Sequence, residues 1–250
     1  MTKIGIIGLG LIGGSIYKSL MALGYDVVGV SRSVKLENVV EDYNVLKTCD
    51  LVFVCTPMNK TLETLDKLEE FLDEKNIVAD VCSLKEFVST KKRPYLFVPT
   101  HPMAGTENKG FESSFDGLFK NAKWVICEKE YPELLAKVIT DLGAKIVVTT
   151  PQKHDEAVAL ISHMPMVISQ AMFLTASENQ LALDIAASGF KDMTRLSLSN
   201  EEMACDMVSM NSENIQNSIL KLYKSVGDLM GENYPQTIQK IKSQRKEMFK

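Results

Sequence analysis

Cysteine is sparse in this chain. Its five residues, Cys49, Cys55, Cys82, Cys127 and Cys205, are odd in number and scattered, with no CxxC pair. That spacing excludes a disulfide framework and a thiolate zinc site. Cationic excess is also missing: 28 Lys and Arg stand against 32 Asp and Glu, a formal charge of −4. Without a basic stripe, nucleic acid is not an expected partner. The basic end KIKSQRKEMFK (240–250) reads as a solvated helix terminus. No apolar run approaches the roughly 18 residues of a membrane span, so no membrane partner is expected. The N-terminal MTKIGIIGLG lacks a signal peptide's cationic region, long apolar core and small-residue cleavage site. The expected compartment is the cytoplasm. Histidine is rarer still, with only His101, His154 and His163.

Hydrophobic content of 45% and charged content of 24% over 250 residues allow one large domain or two modest ones, with a real core. The first 150 residues alternate β-branched runs with helical patterns. The runs are KIGIIG (3–8), VVGV (27–30), LVFVC (51–55), NIVADV (76–81), YLFVP (95–99), KWVIC (123–127) and AKIVVTT (144–150). Between them lie SIYKSLMALG (15–24), TLETLDKLEEFL (61–72) and PELLAKVITDLG (132–143). This alternation predicts βαβ units and a largely parallel, doubly wound sheet. Beyond residue 151 the strand signal stops, and helices punctuated by SGF (188–190) and GENYP (231–235) follow. Nine of the thirteen methionines fall there, which suits a helix–helix core or subunit interface built from an adaptable side chain. The expected division is a dinucleotide-binding domain over 1–150 and a helical domain over 151–250.

GLGLIGGS (8–15) ends the first strand and opens a helix, the context in which a Gly-x-Gly-x-x-Gly triplet binds a dinucleotide. Gly8 permits a tight turn, Gly10 lets backbone approach the pyrophosphate, and Gly13 lets helix and strand pack closely. Leu9, Leu11 and Ile12 complete the loop, with the phosphates at the helix N-terminus. An NAD enzyme usually ends its second strand with Asp or Glu; here VVGV is followed by Ser31, Arg32 and Ser33. Hydroxyls and a guanidinium suit a 2′-phosphate, so NADP is favoured over NAD. Arg32 could instead stack on the adenine of either cofactor.

THPMAGTENKG (100–110) sets His101 between a threonine and a proline, with Gly105 and Gly110 behind it. Such a backbone predicts a loop, where function concentrates on a rigid scaffold.

With these motifs together, the chain resembles the prephenate/arogenate dehydrogenases of tyrosine biosynthesis along essentially its whole length. The resemblance rests on GLGLIGGS (8–15), VCTP (54–57), DVCSLK (80–85), HPMAGTE (101–107), HDEAVALISHMP (154–165) and GFKDMTRLSLSN (189–200). It implies a Rossmann-type domain followed by an all-helical dimerisation domain, hence a homodimer, and a cyclohexadienyl substrate oxidised with loss of carbon dioxide. It implies that His101 accepts a proton or strong hydrogen bond from the substrate hydroxyl, a task suited to imidazole near neutral pH. Ser83 would approach the same hydroxyl and the nicotinamide, although a serine after a strand is also a common helix N-cap. Cys55, Thr56 and Pro57 would line the cofactor site. Gly105, Thr106 and Glu107 would lie beside the pocket, with Glu107 either gating substrate or simply solvated. Arg195 would pair a substrate carboxylate from the helical domain, which suits its planar fork in a chain with few arginines.

His163 would reach substrate, or else be a satisfied core histidine; His154 reads as structural, with Asp155 favoured by the helix dipole. Many relatives carry a second histidine where this chain has Met166, a departure that together with SRS tilts the reading toward arogenate over prephenate. Two other functions stay open: a β-hydroxyacid dehydrogenase-like oxidoreductase, and a non-catalytic NADP-binding sensor. The first lacks the HPMAGTE and GFKDMTR pair; the second would not need His101 and Arg195 together.

Overall fold

Apolar runs without alternation fold as strands covered on both faces. Strands β1 (Lys3–Ile7), β2 (Asp26–Val30), β3 (Val39–Val40), β4 (Leu51–Val54), β5 (Ile77–Asp80) and β6 (Leu96–Val98) pair in parallel, in the order β3-β2-β1-β4-β5-β6. The computed structural model describes residues 2–106, 108–231 and 234–249. Helix α1 (Leu11–Ala22) follows β1 and α2 (Met58–Leu68) follows β4. Because β1 lies between β2 and β4, the two connections run in opposite directions and cover opposite faces. On one face Ile4, Ile6, Leu51 and Phe53 pack with Ile16 and Leu20 of α1. On the other, Val52, Val54 and Val78 pack with Leu65 and Leu68 of α2. The doubly wound parallel sheet expected from the sequence is present.

The later strands do not extend it. β7 (Thr100–Met103) runs antiparallel to β8 (Lys123–Ile126), and β9 (Lys145–Val148) lies parallel to β8 after α3 (Glu133–Asp141), forming a separate three-stranded sheet. Trp124 of β8, fully buried, fastens it to the first sheet through Phe53, with ring centroids 5.9 Å apart. The expectation of a loop at His101 is therefore corrected. His101 is the second residue of β7, opposite Val125, and Pro102 faces Trp124. The proline is tolerated because β7 is an edge strand, where a missing N–H breaks no ladder.

The chain passes from one sheet to the other at Pro99, and a buried ion pair pins that crossing. The Thr100 amide donates to Asp80 Oδ1 at 3.1 Å, and its hydroxyl to the Asp80 carbonyl at 2.6 Å. Lys85 Nζ donates to the Thr100 carbonyl at 2.6 Å and pairs with the Asp80 carboxylate, both side chains being fully buried. Burial, the largest single influence, pushes the lysine pKa down, but the charge and hydrogen bond of Asp80, with Cys82 and Cys127 beside them, together outweigh it and the value ends above 10.5, so Lys85 stays an ammonium.

From residue 151 onward the described chain is helical. Thr150 caps α4 (Pro151–Val158), whose first residue is the proline a helix start tolerates. A π-helical turn (Ala159–His163) joins it to α5 (Met164–Ser177). Pro165 explains the turn: its ring would crowd the carbonyl four residues back, and one wider turn relieves that crowding. Next come α6 (Gln180–Asp184), α7 (Ser188–Met193), α8 (Glu201–Met210), α9 (Ser212–Leu229) and α10 (Tyr234–Met248). SGF, expected as punctuation, instead opens α7. Of GENYP, Glu232 and Asn233 lie outside the described residues and Tyr234 begins α10.

The lack of an unbroken apolar run does not extend to the mean hydropathy of one helix. The helix Pro151–Ser177 spans 27 residues and contains a window of mean hydropathy 1.6, so by length and composition it could cross a membrane. Ser162, His163, Pro165 and Ser169 interrupt the apolar letters, which hid the run from a search for unbroken hydrophobicity. Only 28% of that window is buried, although His163 and Ser169 are buried within it.

Replacing Lys85 by methionine leaves Asp80 charged and buried without its partner. Stability in Lys85→Met should fall by about 3–5 kcal/mol, read from the urea midpoint at unchanged m-value. A loss under about 1 kcal/mol would show that the pair does not fasten the crossing.

Candidate active site

The site is a cleft of about 2070 Å³ between the parallel sheet's C-terminal edge and the helical part. A pocket for one small ligand is roughly 300–1,000 Å³, so there is room for a dinucleotide and a second molecule.

Its first lobe is the glycine loop. Gly8 has φ +85°, and a Cβ there would stand 2.7 Å from the Cys55 carbonyl oxygen. A Cβ on Gly13 would meet the Gly8 carbonyl oxygen at 2.0 Å, so helix, turn and β4 close on one another with no side chain between them. Gly10 differs: a Cβ there would meet nothing within 4 Å, because it faces the open cleft. Helix α1 has no side-chain cap and no acid in its first turn, so its leading N–H groups are available to an anion. These features fit a dinucleotide pyrophosphate.

Leu9, Leu11, Ile12, Cys55, Thr56 and Pro57 line this lobe, whereas Gly13 is buried behind it. Ser31, Arg32 and Ser33 line its far end, where the Ser31 hydroxyl accepts the Val34 amide at 3.2 Å. Glu41 is also there, held by Lys35 at 2.6 Å, and Lys67 lies 4.0 Å above the Tyr43 ring.

The second lobe brings His101, Ser83, Gly105, Thr106 and Arg195 into the same cleft. Ser83 leaves β5 near the buried ion pair; among the described residues its hydroxyl meets only the Met58 thioether, at 3.6 Å. Arg195 begins a 3-10 turn (Arg195–Leu198) and has no ion-pair partner among the described residues. Thr106 accepts the Asn108 amide at 3.2 Å, and Glu107 lies outside the described residues.

His101 Nδ1 stands 3.0 Å from His154 Nε2, and His154 Nδ1 stands 2.7 Å from Asp155 Oδ1. Burial, with His154 and Lys85 adding to it, holds the His101 imidazole well below its ordinary 6.5, so the ring is neutral at pH 7.

His163 is not brought to the cleft. It is 1% exposed in the π turn, where its Nδ1 meets Asn211 Nδ2 at 3.1 Å and its Nε2 has no partner among the described residues. Met166 does reach the cleft wall, 3% exposed, in the same apolar cluster as Met58 and Met207.

Sequence reasoning missed two parts. His154 and Asp155 read as a helix start, and the available signal was that two of only three histidines lie in motifs the fold brings together. The Lys85–Asp80 pair had no signal, because a lysine four residues after a strand is usually solvated.

Gly10→Ala should leave stability within about 0.5 kcal/mol while weakening dinucleotide affinity at least tenfold by fluorescence titration, because its Cβ projects into empty cleft. Unchanged affinity would remove the loop from cofactor binding.

Stability should also depend on acid. Burial, opposed by Asp155, pushes His163 down to about 4. An unfolded histidine titrates near 6.5, so the unfolded chain takes up the proton first and stability falls as pH drops from 6.5 toward 4. His163 alone should remove roughly 2 kcal/mol between pH 7 and pH 5 in urea titrations, and His163→Gln should flatten that slope.

Comparison with known proteins agrees with this geometry. Residues 24–148 match the family model for the prephenate dehydrogenase nucleotide-binding domain, and residues 150–246 that for its dimerization domain. The first match begins after the glycine loop, which stands on its own geometry. A prephenate dehydrogenase of Lactococcus lactis is 27% identical, over 90% of this chain and 72% of its own length. The solved Synechocystis arogenate dehydrogenase is 31% identical with a TM-score of 0.84, covering 99% of this chain and 100% of that one. The prephenate dehydrogenase of A. aeolicus, in complex with hydroxyphenyl propionate and NAD+, is 25% identical with a TM-score of 0.86, covering 99% of this chain and 98% of its own. The chain belongs to the prephenate/arogenate dehydrogenase family.

Proposed function

We propose that the protein oxidises and decarboxylates arogenate to tyrosine with NADP as hydride acceptor. The observation that carries this reading is one continuous cleft that holds a neutral imidazole, a weakly engaged serine hydroxyl and an arginine, beside a glycine loop with an uncapped helix.

The dinucleotide, when bound, supplies the hydride acceptor. The other tasks fall to side chains. His101 takes the proton of the ring hydroxyl, for which its neutral state at pH 7 is suited. Among the described residues Ser83 has only a thioether contact to give up, so it can turn its hydroxyl toward the same oxygen. Arg195 pairs a substrate carboxylate, a charge-assisted contact of about 1.5–3 kcal/mol. Carbon dioxide leaves as the ring becomes aromatic, and the apolar wall of Met58, Met166 and Met207 offers nothing to hold it.

The preference for NADP is supported by Ser31, Arg32 and Ser33 at the lobe's far end, and by Lys35, which neutralises Glu41 there. The preference for arogenate is supported by Met166 in place of a polar group on the cleft wall. Prephenate is the second reading, favoured by the Lactococcus lactis relative. Assembly as a homodimer is supported by exposed apolar side chains on the helices, among them Ile161, Leu174, Leu181, Ile185, Leu220 and Tyr223, and by the match to a dimerization domain. The free state of all five cysteines suits the cytoplasm.

The test pairs arogenate or prephenate with NADP or NAD and follows reduced nicotinamide by absorbance. Turnover confined to arogenate and NADP is expected, and His101→Asn should lower it roughly 10²–10⁴-fold with cofactor affinity unchanged. Preference for prephenate would end the argument from Met166. Silence in all four mixtures, with NADP still bound, would favour a non-catalytic sensor.

A further inference from the structure

His154 and Asp155 stand in α4, yet the His154 ring reaches His101 on β7 and the Asp155 carboxylate reaches the segment that follows β5. Both residues are 3% exposed. The Asp155 carboxylate is surrounded by donors: the Lys85 amide at 2.9 and 3.1 Å from its two oxygens, the Glu86 amide at 2.9 Å and His154 Nδ1 at 2.7 Å. A backbone N–H can only donate, so both oxygens act as acceptors. Proton positions along the chain of rings follow from that end. Asp155 Oδ1 accepts, so His154 Nδ1 carries hydrogen. In the neutral ring the opposite nitrogen, Nε2, is then a lone pair. With His154 neutral, the His101 Nδ1 that lies 3.0 Å from it donates, which leaves His101 Nε2 unprotonated. With Nδ1 committed to His154, Nε2 is the nitrogen left for the cleft.

We infer that His154 and Asp155 are positioning residues, which hold His101 in the one neutral tautomer whose Nε2 can take a proton from a substrate hydroxyl. This rests on His101 being the proton acceptor proposed above. In the step itself the hydroxyl O–H bond breaks and an N–H bond forms at His101 Nε2. The charge that appears on the ring is shared across the Nδ1–H···Nε2 hydrogen bond toward His154, whose own N–H points at Asp155. Burial opposes an imidazolium at His101, with His154, Lys85 and His163 adding repulsion, and the Asp155 carboxylate lies on the far side of His154, at the end of the chain of rings. The same carboxylate holds the amides of Lys85 and Glu86, two and three residues beyond Ser83. One group from the helical part thus sets both side chains that meet the substrate hydroxyl. Asn211, between α8 and α9, secures the arrangement by donating to the Asp155 carbonyl at 3.1 Å.

Three histidines in the whole chain make the test direct. Long-range proton–nitrogen correlation on the full-length enzyme with NADP and ring-¹⁵N histidine reports each tautomer. Protons on Nδ1 are expected at His101 and His154, and on Nε2 at His163, whose Nδ1 accepts from Asn211. Asp155→Asn presents an amide donor to His154 Nδ1 and should invert both rings, moving the His101 proton to Nε2. Its kcat should fall about 10²-fold or more while KM moves less than about threefold. His154→Gln, which leaves the carboxylate in place, should leave His101 as a mixture of tautomers with a similar loss of kcat, and serves if the first variant does not fold. A wild-type enzyme with the His101 proton on Nε2, or variants that keep the wild-type kcat, would overturn the inference. Wild-type protein with the expected tautomers but no turnover of either substrate would overturn the proposed reaction and leave the tautomer assignment standing.

Discussion

An ammonium group without water must find its acceptors in the protein, and the Lys85 ammonium finds them in the Asp80 carboxylate and the Thr100 carbonyl. Those acceptors belong to the end of β5 and the start of β7, strands of two different sheets. The charge therefore decides where the chain crosses between sheets, and with it where the next residue, His101, comes to rest. Ser83 is set from the same knot, two residues before the lysine. A geometry that depends on a buried charge is stiff, because any displacement exposes the cost of an unpaired ion. That stiffness suits the role proposed for His101 and Ser83, which places both within hydrogen-bond distance of one hydroxyl.

The cofactor lobe obeys a different constraint, the absence of side chains. Gly8 and Gly13 are fixed by contacts that a methyl group would violate, whereas Gly10 borders only open space. The first two are needed by the fold itself and the third by whatever approaches the loop. The lobe lies at the strand order's switch point, between β1 and β4, where crossovers to opposite faces leave a crevice at the C-terminal edge. Positive charge runs along it from the uncapped helix to Arg32, with Glu41 paired to Lys35 and Glu63 to Lys60.

The helical part contributes through irregularity. Pro165 forces a π turn that buries His163 and carries Met166 to the cleft wall. Asp155 and Asn211 then tie these helices to the segment after Ser83. Flexible thioethers from Met58, Met166 and Met207 fill the seam, a packing solution that tolerates the mismatch between a sheet edge and a broken helix. Exposed apolar side chains on the same helix, Leu160, Ile161, Phe173 and Leu174 among them, give it the hydropathy of a membrane span.

What the sequence determined by itself is whatever local pattern encodes. Periodicity specified the parallel sheet, the glycine spacing specified the dinucleotide lobe, and the residues after VVGV specified an adenosine end without a free carboxylate. His101 was legible as a residue of interest because histidine is scarce, although its backbone was misread: proline and glycine exclude a central strand, not an edge strand. Tertiary structure alone decided the rest. Asp155 and His101 lie 54 residues apart in number, and Lys85 joins Asp80 to Thr100 across a sheet boundary. Hydrogen bonds between distant side chains depend on which backbones become neighbours, and no window of sequence carries that information. For the same reason the motif left His163 open as a substrate ligand or a core histidine, and the turn that buries it is revealed only by the packed helix.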